Sequence, residues 1–92
     1  MNLKELLEYI VRSLVDLPEE VLVNEATTDG VQVFEIFVAQ DDIGKVIGRE
    51  GRIANSLRTI CKAAAAKTGV RVMVEILTQE EHQARQTASA AA

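Results

Sequence analysis

The chain has 92 residues, with ten Lys and Arg against fourteen Asp and Glu, a formal net charge of −4 and a pI near 4.9. One domain is expected, because two cores of half this size would each be marginal, and 48% apolar residues suffice for one two-layer core and exclude a disordered chain. No apolar run approaches the roughly 20 residues of a membrane span, Glu5 and Glu8 interrupt what would be the apolar region of a signal peptide, and one Cys with one His excludes an internal disulfide and a zinc constellation. A cytoplasmic location is expected. Spread evenly, a charge of −4 would also argue against a phosphate-rich partner.

Leu3 to Leu17 reads as an amphipathic helix, with Leu3, Leu6, Leu7, Ile10, Val11 and Leu14 on one face. Asn2 can cap it, Glu5 stands three residues on as in a capping box, and Pro18 ends it. Val21 to Thr28 and Val31 to Ala39 read as strands joined by Asp29-Gly30, the dipeptide that favours a tight hairpin. The second is apolar on both faces (Phe34, Ile36 and Val38 on one; Val31, Val33 and Phe37 on the other, broken by Glu35), which predicts a central strand. Asp41 or Asp42 can cap a short helix from Ile43 to Ile47, and Gly48-Arg49-Glu50-Gly51 forms a turn. A longer helix from about Arg52 to Lys67 follows, with Ile53, Leu57, Ile60, Cys61 and Ala64 as its apolar face and Gly69 as its stop. Val70 to Leu77 reads as the last strand, with Val70, Val72, Val74 and Ile76 opposite Arg71, Met73, Glu75 and Leu77. Residues 1–78 are thus the domain. Residues 79–92, polar and Ala-rich with no apolar face to dock, are expected to be a flexible tail. The order α-β-β-α-α-β predicts an α+β two-layer sandwich, three helices on one face of a three-stranded mixed sheet.

The charge is not evenly spread. Residues 1–44 carry Lys4 and Arg12 against ten acids, a balance of −8. Residues 45–71 carry Lys45, Arg49, Arg52, Arg58, Lys62, Lys67 and Arg71 against Glu50 alone, a balance of +6, and residues 72–92 return to −2. The basic block contains the glycine turn, an asymmetry that points to a polyanion partner, although Lys- and Arg-rich helix surfaces also serve solubility. A glycine turn before a helix offers free N–H groups and the positive end of the helix dipole to an anion. Glycine also lets a phosphate backbone approach where a Cβ would collide. A bare Gly-x-x-Gly is weak evidence, and by itself it reads better as a simple connector between helices that needs positive φ.

The run Gly44-Lys45-Val46-Ile47-Gly48-Arg49-Glu50-Gly51-Arg52-Ile53, followed by Leu57-Arg58, resembles the signature of the KH domain, an Ile-Gly-x-x-Gly loop between two helices. The KH loop clamps about four nucleotides of single-stranded RNA backbone. The element order looks like the type II KH arrangement, and a single KH domain this short is similar to the small bacterial KhpA family. The resemblance spans Leu3 to Leu77. It implies an RNA-binding protein acting in post-transcriptional regulation, as a homodimer or paired with a KhpB-like KH-containing protein. Within the motif it implies that Gly48 and Gly51 hold the loop open, that Arg49 pairs with phosphate with Lys45 and Arg52 beside it, and that Ile47 and Ile53 line the groove. Arg71 and Val72 would form its far wall. Glu50 departs from the common pattern, in which that position is neutral or basic, and so implies weaker affinity. The chain has only three aromatic residues, Tyr9, Phe34 and Phe37, none in the basic block, which disfavours modules that stack bases on aromatic rings.

Enzyme classes find little support. The glycines match neither a P-loop, which needs four intervening residues and then Lys-Ser/Thr, nor the Gly-x-Gly-x-x-Gly of a dinucleotide site. Cys61 falls on an apolar helix face and reads as a buried structural thiol. His82 lies in the polar tail, and capping explains Asp41 and Asp42 better than catalysis does. No cofactor, metal or small-molecule substrate is expected. The rival function is a protein-interaction scaffold using the sheet face that bears Val31, Val33, Phe37, Met73 and Leu77.

Overall fold

The computed structural model describes residues 2–81, 83 and 84. Helix α1 spans Leu3–Leu14, strands β1 and β2 span Leu22–Thr28 and Val31–Val38, helices α2 and α3 span Ile43–Ile47 and Arg52–Ala66, and strand β3 spans Arg71–Thr78. Short 3₁₀ turns at Pro18–Glu20, Gln40–Asp42 and Arg49–Gly51 join them. The sheet order is β1-β2-β3, antiparallel between β1 and β2 and parallel between β2 and β3. This is the expected α-β-β-α-α-β sandwich, with β2 central.

Local chemistry explains the elements. Asn2 Oδ1 accepts the Glu5 N–H at 2.8 Å and so caps α1. Asp29 and Gly30 both take positive φ, 52° and 78°, as a two-residue hairpin requires. Phe34, Ile36 and Val38 of β2 face the helices and are 0% exposed. They meet Leu7, Val11 and Val15 from the first segment, Val46 from α2, Leu57 and Cys61 from α3, and Val74 from β3. Cys61 is buried, and burial raises its thiol pKa, so it belongs to the core.

Several expectations shift. Helix α1 ends at Leu14 rather than Leu17, because Val15 turns extended and enters the core. The N–H groups of Asp16 and Leu17 are then satisfied by the Asp42 carboxylate, at 3.2 and 3.0 Å. Asp42 therefore does not cap α2, and neither it nor Asp41 makes a side-chain cap there. The α3 stripe is also rotated. Ala54, Leu57, Cys61 and Ala65 are buried, whereas Ile60 is 43% exposed and Ala64 is exposed, because a three-stranded sheet covers only part of the helix girth. Phe37 points to the face away from the helices yet is 1% exposed, flanked in register by Leu22 and Leu77.

After β3 the chain is helical at 79–81 and 83–84. Thr78 Oγ1 accepts the Glu81 N–H at 3.2 Å, so Thr78-x-x-Glu81 starts a helix where the sequence reading expects only a tail. The Gln79 amide also donates to the Glu20 carbonyl. The expectations for His82 and for residues 85–92 lie outside the described residues.

Candidate nucleic-acid interface

The glycine loop is built by backbone conformation. Helix α2 stops when the Gly48 N–H bonds the Gly44 carbonyl at 2.9 Å and Gly48 swings to φ 76°, ψ 175°. The Gly51 N–H then bonds the Gly48 carbonyl at 3.2 Å. Glu50 (φ 56°, ψ 24°) and Gly51 (φ 75°, ψ 15°) are both left-handed, which turns the chain into α3. Among the described residues no side chain caps the start of α3, so its first amides face the loop without a side-chain partner there. The two glycines differ in what they permit. A Cβ on Gly48 would lie 2.7 Å from Ile53 Cγ1 and 2.9 Å from Cδ1, whereas one on Gly51 would come no nearer than 3.9 Å to Asn55 Nδ2. Gly48 thus makes room for Ile53, which packs its half-buried side chain against the core.

Seven predicted residues come together here. Arg49, Glu50 and Arg52 are exposed on the loop and the first turn of α3, with Gly48 and Gly51 between them and Ile47 and Ile53 at the base. Ile47 is 37% exposed. Arg49 has no carboxylate partner among the described residues, whereas Arg52 Nη2 lies 3.6 Å from Glu50 Oε2. Both side chains of that pair are largely exposed, so it holds Arg52 only weakly.

Two predicted residues are placed elsewhere. Lys45 Nζ donates to Asp16 Oδ2 at 2.7 Å and to Asp42 Oδ1 at 3.2 Å. Strand alternation sends Arg71 to the sheet face away from the helices, while Val72 stays on the helix side. Val72 lines a groove of about 210 Å³ between α3 and the edge strand β3, with Arg58, Lys62, Met73 and Val74. Arg58 Nη1 donates to Asn55 Oδ1 at 3.1 Å and its Nε reaches the Val74 carbonyl at 3.5 Å. Neither Arg58 nor Lys62 has a carboxylate partner among the described residues. Sequence reasoning placed both in the basic block but not in the site. Their four-residue spacing, which puts them on one helix face, was the available signal.

The Asp42 carboxyl sits below its ordinary value. Burial pushes it up, but the N–H groups of Asp16 and Leu17 and the Lys45 ammonium outweigh burial. Lys45 is raised, chiefly by its hydrogen bonds to Asp16 and Asp42. Among the described residues there is no cluster of three His, Cys, Asp or Glu side chains fit for a metal ion, and no helix long and apolar enough to cross a membrane.

The sequence pattern of the KhpA/KhpB KH domain matches residues 4–76. The chain belongs to this family. It is 53% identical to the RNA-binding protein KhpA of Clostridium acetobutylicum over 75 residues, which cover 82% of this chain and all of that one. It is 51% identical to RNA-binding protein KhpA of Borreliella burgdorferi over 73 residues, 79% of this chain and 89% of that one. Both relatives are thus named for binding rather than for catalysis. Among solved structures, Era in complex with MgGDPNP and nucleotides 1506-1542 of 16S ribosomal RNA is similar at TM-score 0.48 and 20% identity, covering 85% of this chain and 31% of that one.

Proposed function

We propose that the chain binds short single-stranded RNA through the Gly48–Gly51 loop and the groove between α3 and β3, in the cytoplasm, as part of post-transcriptional regulation. One observation carries this reading. The start of α3, without a side-chain cap among the described residues, opens onto a side-chain-poor loop with Arg49, which has no carboxylate partner among those residues, at its tip, and an aliphatic groove flanked by Arg58 and Lys62 accompanies it. Backbone amides and a guanidinium suit a sugar-phosphate strand, and aliphatic walls suit unstacked bases. The names of the KhpA relatives agree with it. Gly48 and Gly51 keep the loop open, Arg49 and Arg52 meet phosphate, and Ile47, Ile53 and Val72 line the base-binding wall. Arg58 and Lys62 extend the cationic path. Such a site spans about four nucleotides, so a homodimer or a pairing with a KhpB-like partner would add avidity.

Replacing Arg49 and Glu50 together by Asp puts two acids at the loop tip and should abolish binding of a single-stranded oligoribonucleotide, with the circular dichroism spectrum unchanged. Retained RNA affinity in that folded variant rejects the loop as the site. A salt titration adds a second check. Phosphate contacts predict a logarithmic slope of about −0.7 per contact on single strands, whereas a mainly apolar association barely responds.

A scaffold reading is favoured by a different observation. On the sheet face away from the helices, Met73 is 51% exposed and Leu22 is 38% exposed, beside half-buried Val31, Val33 and Leu77. An apolar patch of this kind suits a partner protein, and it lies away from the loop, although Met73 also lines the groove beside Arg58 and Lys62.

A further inference from the structure

On the basis of the RNA-binding role above, we propose that Lys45 is a positioning residue that, with Asp42 and Asp16, holds α2 and the glycine loop in place, and that it does not contact the RNA. Helix α2 has only five residues and buries only Val46. A helix that short has no stability of its own, so its orientation depends on what grips its ends. At the far end Gly48 fits against Ile53. At the near end the grip is a buried carboxylate. Asp42, 1% exposed, accepts the Asp16 N–H on Oδ1 and the Leu17 N–H on Oδ2. The chain segment that leaves α1 is thereby tied to the residue that starts α2.

Lys45 completes the tie. One ammonium reaches the buried Asp42 and the exposed Asp16 together, at 3.2 and 2.7 Å, from a position three residues before Gly48. If Lys45 swung to a phosphate, Asp42 would lose its only cationic partner among the described residues while still shut away from water. The Lys45 side chain is itself 43% exposed, but leaving the buried Asp42 carboxylate without its cation is unfavourable, so the ammonium stays where it is. Its charge serves the loop through geometry rather than through contact.

The test compares the full chain with Lys45→Gln, Lys45→Arg and Asp42→Asn, each well below its own melting temperature. The probe is a pool of random single-stranded RNA about eight nucleotides long, twice the span of one KH groove. Lys45→Gln should weaken binding about fivefold with an unchanged salt slope, as a displaced binding loop does. Lys45→Arg keeps the charge and the reach and should restore affinity to within about twofold. In the RNA-free protein, the amide resonances of Gly48 and Gly51 should move in Lys45→Gln and Asp42→Asn, while those of the β1–β2 hairpin tip stay. A slope reduced by about 0.7 in Lys45→Gln makes Lys45 a phosphate ligand and overturns the inference. A lowered melting temperature with unmoved loop resonances and unchanged affinity makes the cluster a simple stabiliser and overturns it too. If the parent chain shows no salt-dependent RNA binding, the RNA role fails by itself, and the loop resonances alone then decide whether the cluster positions the loop.

Discussion

Gly48 is glycine for two separable reasons, a positive φ and the close approach of Ile53. Gly51 has only the first. Urea unfolding should therefore show Gly48→Ala destabilised by about 2–3 kcal/mol, from left-handed strain plus overpacking, and Gly51→Ala by only about 1 kcal/mol. Equal losses would mean that Ile53 moves aside at no cost. Glu50 carries the same backbone strain without being glycine. Asn tolerates that conformation better, so Glu50→Asn should stabilise the fold by about 0.5 kcal/mol. It also removes the acid facing Arg52, and RNA affinity should rise with a steeper salt slope. Asp42 makes a pH prediction. A carboxyl lowered in the folded state stabilises above its unfolded value of 3.8, and that contribution is lost as pH falls through the native value. Lys45, raised in the folded state, keeps its contribution below 10.5 and loses it as pH rises through its native value. The stability difference between the parent chain and Asp42→Asn should thus be flat from about pH 5 to 8 and shrink in acid, as read by urea midpoints.

Helix α3 is the element that joins core and site. Its buried stripe, Ala54, Leu57, Cys61 and Ala65, fixes its roll over the sheet, and that roll brings Arg58 and Lys62 to the β3 edge. Lys62→Ala and Arg58→Ala should each lower RNA affinity severalfold and reduce the salt slope by up to about 0.7, whereas Lys67→Ala, beyond the end of α3 and away from the groove lining, should change neither. Equal responses at all three positions would mean a diffuse charge effect rather than a track. The hairpin and α1 were legible because their signals are local: Asp29-Gly30 for the turn, Asn2 for the cap, and a three-and-four apolar repeat. The start of the helical turn at 79–81 was legible too, in Thr78-x-x-Glu81, but its lack of an apolar face argued the other way.

At the scale of the whole molecule, α1, α2 and α3 cover one face of the sheet, and the other face carries Phe37, Leu22, Met73 and Leu77. Phe37 belongs to the second face yet is fully buried, so Phe37→Glu would break the fold rather than probe an interface. Met73→Glu is the better probe, since Met73 is 51% exposed on the same face. If that face mediates self-association, sedimentation equilibrium should show the variant shifted to monomer with its melting temperature nearly unchanged. An unaltered mass would exclude the face as the dimer surface.

The net charge of −4 sets out the division between sequence and tertiary structure. Sequence alone determined the element order, the central strand, the glycine loop and the basic block of +6 around it, because each depends on residues near one another in the chain. Tertiary structure decided which of those charges are free. Lys45 is claimed by Asp16 and Asp42, and Asp16 lies 29 positions away. Arg71 is turned to the other sheet face by strand alternation, while Arg49, Arg58 and Lys62 remain without carboxylate partners among the described residues. Composition counts cations, but only the packed chain decides which are neutralised, since an ion pair depends on distance through space and not on separation in sequence.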